Sequence, residues 1–183
     1  MNLQRGAGLV EVLVTVLILA FGLLGLAGLQ SRLQASDTES YQRAQALVLL
    51  EDMASRIGAN RSAAVAYVTG AAAPMGAGIT CPVAAATRAE IDLAQWCNAL
   101  QGTAEISGTS RVGAMLSARG CVEALPDNEY LVTVAWQGMS PAAAPDAGTA
   151  CGANSYDDTA ADAVCVDGRC RRLVTTVVRI GTL

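Results

Sequence analysis

The chain has 183 residues and a formal net charge of -4, it contains no histidine, and its basic residues are all arginine. A negatively charged chain of this kind offers no basic surface to hold nucleic acid, so no nucleic-acid partner is expected. Without histidine and lysine, the commonest general base, the commonest zinc ligand and any Schiff-base amine are missing. We therefore expect neither catalysis nor a cofactor, and the length suits one compact domain with an appended segment.

An apolar run near the N-terminus has one acidic residue inside its border. Residues 12–29, VLVTVLILAFGLLGLAGL, carry no charge, and about 20 apolar residues span a bilayer as a helix. Apolar character extends further, from Ala7 to Leu29, and its one exception is Glu11, one turn inside this longer run. An ionisable group costs roughly 2.5–3.5 kcal/mol at mid-bilayer and less near the interface. Such a residue calls for a partner or a function, although exposure to lipid headgroups is the simpler alternative.

Two ordinary export signals explain the apolar run in part. A secretory signal peptide has a basic start, an apolar core and a cleavage site of small residues, for which Gly25-Leu-Ala27 is suitable. Its apolar core would then contain Glu11, and an uncleaved anchor would leave Glu11 without a role. From these residues alone both alternatives stay open.

The segment Arg5-Gly-Ala-Gly-Leu-Val-Glu11 resembles the leader junction of type IV prepilins and pseudopilins. The resemblance implies that residues 1–6 are a leader, which a prepilin peptidase removes by cleavage between Gly6 and Ala7. It also implies methylation of the new amino terminus on Ala7 and makes Glu11 the fifth mature residue, with a role in assembly. The sequence departs from the family pattern at Ala7, where phenylalanine is usual, and at Gly8, where threonine is common.

Cleavage would create an α-amino group close to the Glu11 carboxylate. An α-amino group has an ordinary pKa of about 7.7–8.0, and it would lie at the same bilayer depth as the carboxylate. In a helical filament the amine of one subunit could neutralise Glu11 of its neighbour. Such a pair can fix the register of the subunits whether or not it adds net stability.

The helical pattern continues beyond the membrane segment. Apolar residues recur at mostly three- and four-residue steps, with charged residues between them. The apolar positions are Leu26, Leu29, Leu33, Tyr41, Ala44, Leu47, Val48, Met53, Ala54 and Ile57. We predict one helix over residues 8–57 with Gly58 as its C-cap. Residues 7–30 would form the membrane or filament core, and residues 31–58 an amphipathic continuation that packs against a head.

Three glycines, Gly22, Gly25 and Gly28, lie in the apolar run. They permit close approach of neighbouring helices or a local bend. An equally good interpretation is that they are glycines of a membrane helix with no special role.

All the cysteines follow residue 80, which predicts disulfides in an oxidising compartment. They are Cys81, Cys97, Cys121, Cys151, Cys165 and Cys170. The chain has no CxxC pair, which disfavours both a zinc site and a thiol oxidoreductase. Six cysteines allow 15 pairings, and sequence proximity alone favours Cys81–Cys97, Cys121–Cys151 and Cys165–Cys170.

The remaining residues, 59–183, are predicted to form the head. Residues 129–137 and 171–180 are β-branched runs with turn signals at their ends, and a third strand is expected around 120–124. A short helix is expected near 84–100, after a loop over 59–80 with one helical turn. The fold class is therefore α+β, with a long N-terminal helix on a small antiparallel sheet, and this architecture resembles that of pilins.

A long loop is predicted over residues 138–170, rich in proline, alanine, glycine and aspartate. It carries Asp157, Asp158, Asp162 and Asp167, so a calcium site is conceivable. The spacing of an EF-hand, with oxygens at alternating positions, is missing, and we expect a solvated loop with no metal site. Trp136 lies in a predicted strand and is expected in the core.

Residues 22–30, 132–138 and 171–179 are similar to PilV-type minor pilins. The resemblance implies a non-enzymatic minor type IV pilin that takes part in pilus assembly or priming, and so in adhesion or twitching motility. Its partners would be the prepilin peptidase, the major pilin and other minor pilins, and the inner-membrane assembly platform. It would cross the inner membrane once with a periplasmic head, and then enter the extracellular pilus. The alternatives are a minor pseudopilin of a type II secretion system and a membrane-anchored periplasmic disulfide protein.

Overall fold

The computed structural model describes residues 8–83, 86–103, 106–107, 110–111, 115–160 and 162–181. The chain forms two compact units, Met1–Ser40 and Tyr41–Leu183. One helix, α1 (Leu9–Ala59), contributes residues to both units.

The first unit consists of the N-terminal turns of α1. Residues 8–38 are all exposed within the chain, and the most apolar stretch of the helix has a mean hydropathy of 2.7 with none of it buried. By length and composition this helix is able to cross a membrane. The predicted apolar helix is therefore confirmed.

The second unit is built on a four-stranded antiparallel sheet. Its helices and strands in chain order are a 3-10 helix (Arg61–Tyr67), β1 (Met75–Gly76), α2 (Arg88–Leu100), β2 (Ile106–Ser107), β3 (Ser110–Arg111), β4 (Arg119–Leu125), β5 (Glu129–Gln137) and β6 (Arg171–Arg179). The sheet has the order β1-β4-β5-β6, and β2 and β3 form a separate pair. The predicted α+β class and the predicted strands are confirmed, and the short helix begins at Arg88.

The register of the sheet follows from a tight turn. β4 and β5 are joined through Asp127 and Asn128, which both have a φ of 59°, a left-handed conformation that these two residue types tolerate better than most. The turn aligns Cys121 with Thr133, and Thr133 lies opposite Thr175 of β6.

Residues from α1 form one side of the core. Gln42, Ala46, Leu50, Met53 and Ile57 are buried, and the apolar members pack in one cluster with sheet residues such as Val122, Val132 and Val134. This stripe follows the helical period of three or four residues. It places the helix along one face of the sheet.

The predicted apolar face of α1 is partly wrong. Met53 and Ile57 are buried as expected, but Leu47 and Val48 are 44% and 67% exposed. Because apolar residues lie on several sides of α1, two overlapping stripes of residues follow the same helical periodicity. Packing against the sheet determines that the buried stripe is the one that begins at Gln42.

The predicted C-cap at Gly58 is also wrong. α1 continues through Gly58 to Ala59, and the N–H of Asn60 donates to the carbonyls of Arg56 and Ile57 at 3.1 and 3.2 Å. Asn60 then leads directly into the 3-10 helix. Since the chain continues in a helical path, the end of α1 has no need of a left-handed glycine.

The helix α2 is held at its start by Thr87 and at its centre by Trp96. Thr87 and Glu90 form a capping box, in which each side chain accepts a hydrogen bond from the other's backbone N–H. The indole N–H of Trp96 donates to the carbonyl of Leu49 at 2.9 Å. A Cβ on Gly120 would clash with the indole ring of Trp96, so the close approach of α2 to the sheet requires glycine there.

The long loop over residues 138–170 is fastened to the sheet. Its Cys151 is bonded to Cys121 of β4, and Arg171 donates to the carbonyls of Thr149 and Cys151. The hydroxyl of Tyr156 donates to the carbonyl of Ser117 at 3.2 Å. These contacts hold the loop against the sheet.

The three predicted disulfides are confirmed: Cys81–Cys97, Cys121–Cys151 and Cys165–Cys170. Sequence proximity was enough to predict the pairing, because each disulfide joins cysteines that are close together along the chain. The sequence separations are 16, 30 and 5 residues.

Removing the Cys121–Cys151 bond should destabilise the head more than removing Cys165–Cys170. Closing a loop of 30 residues stabilises by about 3–4 kcal/mol and one of 5 residues by about 2 kcal/mol in the chain-entropy model. Urea unfolding of paired Cys→Ala variants measures this through Trp96 and Trp136, which are both buried in the head. Equal losses for the two pairs would contradict the expectation.

Candidate functional site

Glu11 occupies the first turn of α1. Its backbone N–H donates to the carbonyl of Gly8 at 2.8 Å, and its side chain is exposed. A carboxylate in the first turn interacts favourably with the positive end of the helix dipole. Gly6 and Ala7 lie outside the described residues, so the cleavage and methylation site stays a prediction.

The apolar surface that follows Glu11 has no cover within the described chain. Val16, Ile18 and Phe21 are 59%, 64% and 69% exposed. Burying a side chain of this size contributes about 1.5–3 kcal/mol. A contiguous exposed surface of this kind marks contact with lipid or with other chains.

The glycines of this helix leave a shallow groove on its surface. A Cβ at Gly22, Gly25 or Gly28 would meet no atom within 4 Å. Gly25 and Gly28 line the groove together with Leu24, Leu29 and Arg32. The chain's own fold does not require these glycines, and they leave room for a neighbouring helix.

A polar cleft in the head is the other candidate site. It has a volume of about 490 Å³. Its lining residues are Asp52, Ser55, Arg56, Ala59, Asn60, Arg88 and Asp92. Asp92 is only 1% exposed and lies at the centre of the polar contacts.

Three side chains donate to the Asp92 carboxylate. They are the Tyr67 hydroxyl at 2.6 Å, Arg56 Nη1 at 2.7 Å and Arg88 Nε at 3.2 Å. Arg56 also contacts Asp52 through Nε at 2.9 Å. Because Arg56 belongs to α1 and Asp92 to α2, the cluster joins the end of α1 to the second helix.

The pKa values follow from these contacts. Burial acts to raise the pKa of Asp92, but the hydrogen bonds from Tyr67 and Arg56 and the charges of Arg88 and Arg56 outweigh it, so the pKa is lowered. Burial and the hydrogen bond to Asp92 raise the pKa of Tyr67. Perturbed pKa values in a cleft can mark a catalytic site. Here the groups satisfy one another, and the arrangement serves to hold two helices together.

The cluster around Asp92 was not predicted from the sequence. The local indication of the cluster in the sequence was Asp92, a carboxylate among the buried positions of α2. It lies next to Leu93 and one turn from Ala89. A buried carboxylate requires a cation and hydrogen bonds. The sequence does not say that Arg56 and Tyr67, which are distant along the chain, supply them.

The acidic loop and Trp136 fall outside both sites. Asp157 Oδ1 accepts the N–H of Gly168 at 2.8 Å, and Asp158 Oδ1 accepts the N–H of Ala160 at 3.2 Å. Within the described ranges, no cluster of acidic, histidine or cysteine side chains is arranged to hold a metal ion. Trp136 is 2% exposed and lies in the core, as predicted.

No family model, curated protein or solved structure matches this chain.

Replacing Asp92 with asparagine should destabilise the head by about 3 kcal/mol at neutral pH. This value lies at the lower end of the range for breaking a buried ion pair, because the Arg56 side chain is 22% exposed and keeps some contact with water. Asp92 has a lowered pKa in the folded head. Its contribution is therefore full above the unfolded value of about 3.9 and is lost as the pH falls through the folded pKa.

Urea unfolding of the wild type and of Asp92→Asn, from pH 7 down to the acid limit, measures this contribution. The two curves should stay apart above about pH 4 and converge below it. A difference that does not change with pH would contradict the ionic role of Asp92. Arg88→Gln is a milder control, since the Arg88 side chain is 66% exposed.

Proposed function

We propose that this chain is a prepilin-like subunit, a minor pilin of a type IV pilus. A prepilin peptidase removes residues 1–6 by cleavage between Gly6 and Ala7. Residues 7–30 then hold the subunit in the inner membrane. They are transferred from lipid into the helical core of the filament when the subunit is incorporated.

The observation that carries the proposal is the arrangement of Glu11 and the surface that follows it. A carboxylate in the first helical turn precedes an apolar helix that is exposed on all sides. An anchor alone needs the apolar surface and has no use for Glu11, which adds a cost in lipid. A filament needs both, because its apolar helices pack together while Glu11 meets the amine of a neighbour and sets the register.

The head is consistent with a location outside the cytoplasm. All six cysteines are in disulfides, which persist in oxidising compartments. With residues 7–30 in the inner membrane, the head lies in the periplasm and later on the pilus surface. There it would contact the major pilin, other minor pilins or the surface to which the pilus adheres.

A minor pseudopilin of a type II secretion system shares the N-terminal features and is the nearest alternative. The resemblance of residues 132–138 and 171–179 to minor pilins favours the pilus. The two functions differ in where the subunit is found, since only a pilin is recovered in pili sheared from cells.

Glu11→Ala should leave membrane insertion intact and reduce the amount of subunit in sheared pili severalfold. Insertion depends on the apolar run, and removing a carboxylate lowers its cost, whereas assembly loses the charge that pairs with the neighbouring amine. The measurement is quantitative immunoblotting of membranes and of sheared pili from the same cells.

Two further variants separate charge from shape. Glu11→Gln keeps the size of the side chain and should behave like Glu11→Ala, while Thr15→Val in the next turn should assemble normally. The Thr15 hydroxyl donates to the carbonyl of Val12 in its own helix. Normal abundance of both Glu11 variants in sheared pili would exclude the proposed role.

A further inference from the structure

The polar cleft between α1 and α2 has hydrogen-bond donors that its internal contacts do not use. Arg56 donates to Asp52 through Nε. Its Nη1 donates to Asp92 and Gln95, both at 2.7 Å, and its Nη2 bonds to no described residue. Arg88 contacts Asp92 through Nε and Nη2, and its Nη1 is likewise unused within the described chain. Both arginines therefore have N–H groups left to bind a ligand.

The same cleft also has unused acceptors. The Asp52 carboxylate can accept about four hydrogen bonds, and from the described residues it accepts only the Nε–H of Arg56. The Tyr67 hydroxyl uses its proton on Asp92 at 2.6 Å. It can therefore only accept from Asn60 Nδ2, at 3.2 Å. This contact fixes the orientation of the Asn60 amide and leaves its oxygen without a partner in the described part of the chain.

The charges that line the cleft are balanced. The lining residues include two carboxylates, Asp52 and Asp92, and two guanidinium groups, Arg56 and Arg88. An anion such as phosphate would lie beside carboxylates that already offset the arginines, and a cation would be repelled by the arginines. Among the described lining residues only Ala59 is apolar, so an apolar ligand would find little surface to cover. The cleft therefore suits a neutral molecule rich in hydrogen-bonding groups.

Hydroxyl groups match this mixture of donors and acceptors. A hydroxyl both donates and accepts, and a planar guanidinium or carboxylate group can bind two neighbouring atoms of a ligand at once. The exposed hydroxyl of Ser55 adds a further group that does both. The cleft volume of about 490 Å³ lies within the range of small-molecule sites, about 300–1,000 Å³.

We propose that this cleft binds a neutral sugar ring. Neighbouring hydroxyls of the sugar accept hydrogen bonds from Arg56 and Arg88 and donate to the Asp52 carboxylate. The inference does not depend on the proposed function, since every lining residue belongs to the second unit of the chain.

The walls of the cleft are held in position by the protein itself. Arg56 is fixed by its contacts with Asp52, Asp92 and Gln95, and Arg88 is anchored on Asp92, which is 1% exposed. A sugar that binds here therefore orders few protein side chains, which lowers the entropic cost of binding. Because the Arg88 side chain is 66% exposed, water competes for it, and we expect a Kd of about 1 mM.

Saturation-transfer difference NMR on the full chain tests for sugar binding. The chain is kept in dodecylphosphocholine, a detergent whose headgroup contains no sugar. Glucose, galactose, mannose and N-acetylglucosamine are added one at a time at millimolar concentration. At least one of them should receive saturation from the protein and should titrate with the expected Kd.

Two variants locate the binding in the cleft. Arg88→Gln removes a guanidinium group and should raise the Kd about tenfold, which corresponds to the loss of one charged hydrogen bond. Ser55→Ala removes the exposed hydroxyl and should raise the Kd severalfold. Arg169→Gln is the matched control, because Arg169 is exposed and lies outside the cleft, and it should bind like the wild type. Fluorescence of the buried tryptophans checks that each variant is folded.

Three results would overturn the inference. The first is the absence of saturation transfer to all four sugars in the wild type. The second is an unchanged Kd in Arg88→Gln, or in Ser55→Ala should Arg88→Gln fail to fold. The third is displacement of the bound sugar by inorganic phosphate at equal concentration, which would assign the cleft to anions.

Discussion

The apolar surface of residues 9–29 is the constraint on which the rest of the molecule depends. Nothing in the described chain covers it, so it has to be covered by lipid or by the helices of other chains. It also gives Glu11 its importance, because a carboxylate at the border of such a surface costs energy unless a neighbour neutralises it. On the proposed function, this surface exchanges lipid for the helices of neighbouring subunits.

The head has few aromatic side chains from which to build its core. Its core is small, and covalent bonds and one buried charge cluster supplement it. The Cys121–Cys151 bond fixes the long loop to β4, and Asp92 draws Arg56 of α1 and Tyr67 towards α2. These bonds hold the long loop and α2 in place against the sheet.

Local patterns in the sequence predicted the parts of the fold that local physics determines. The apolar helix, β4 to β6 and the three disulfides were predicted correctly, since composition, β-branched runs and short chain separations specify them. The buried stripe of α1 was predicted wrongly at Leu47 and Val48, because several stripes share one period and packing on the sheet chooses between them. The end of α1 was misplaced at Gly58 because the following 3-10 helix makes a glycine cap unnecessary. The Asp92 cluster depends on residues far apart along the chain, and no local pattern contains it.

The measurement that tests the account most directly is the N-terminus of the protein purified from its native host, by intact and peptide mass spectrometry. The account predicts a chain that begins at Ala7, with or without one methyl group. That result would establish processing by a prepilin peptidase and place Glu11 fifth in the mature chain. A chain that begins after Ala27 would be a cleaved export product without its apolar helix, and an intact Met1 would indicate a simple anchor. Either of these would contradict the proposal that this chain is a filament subunit.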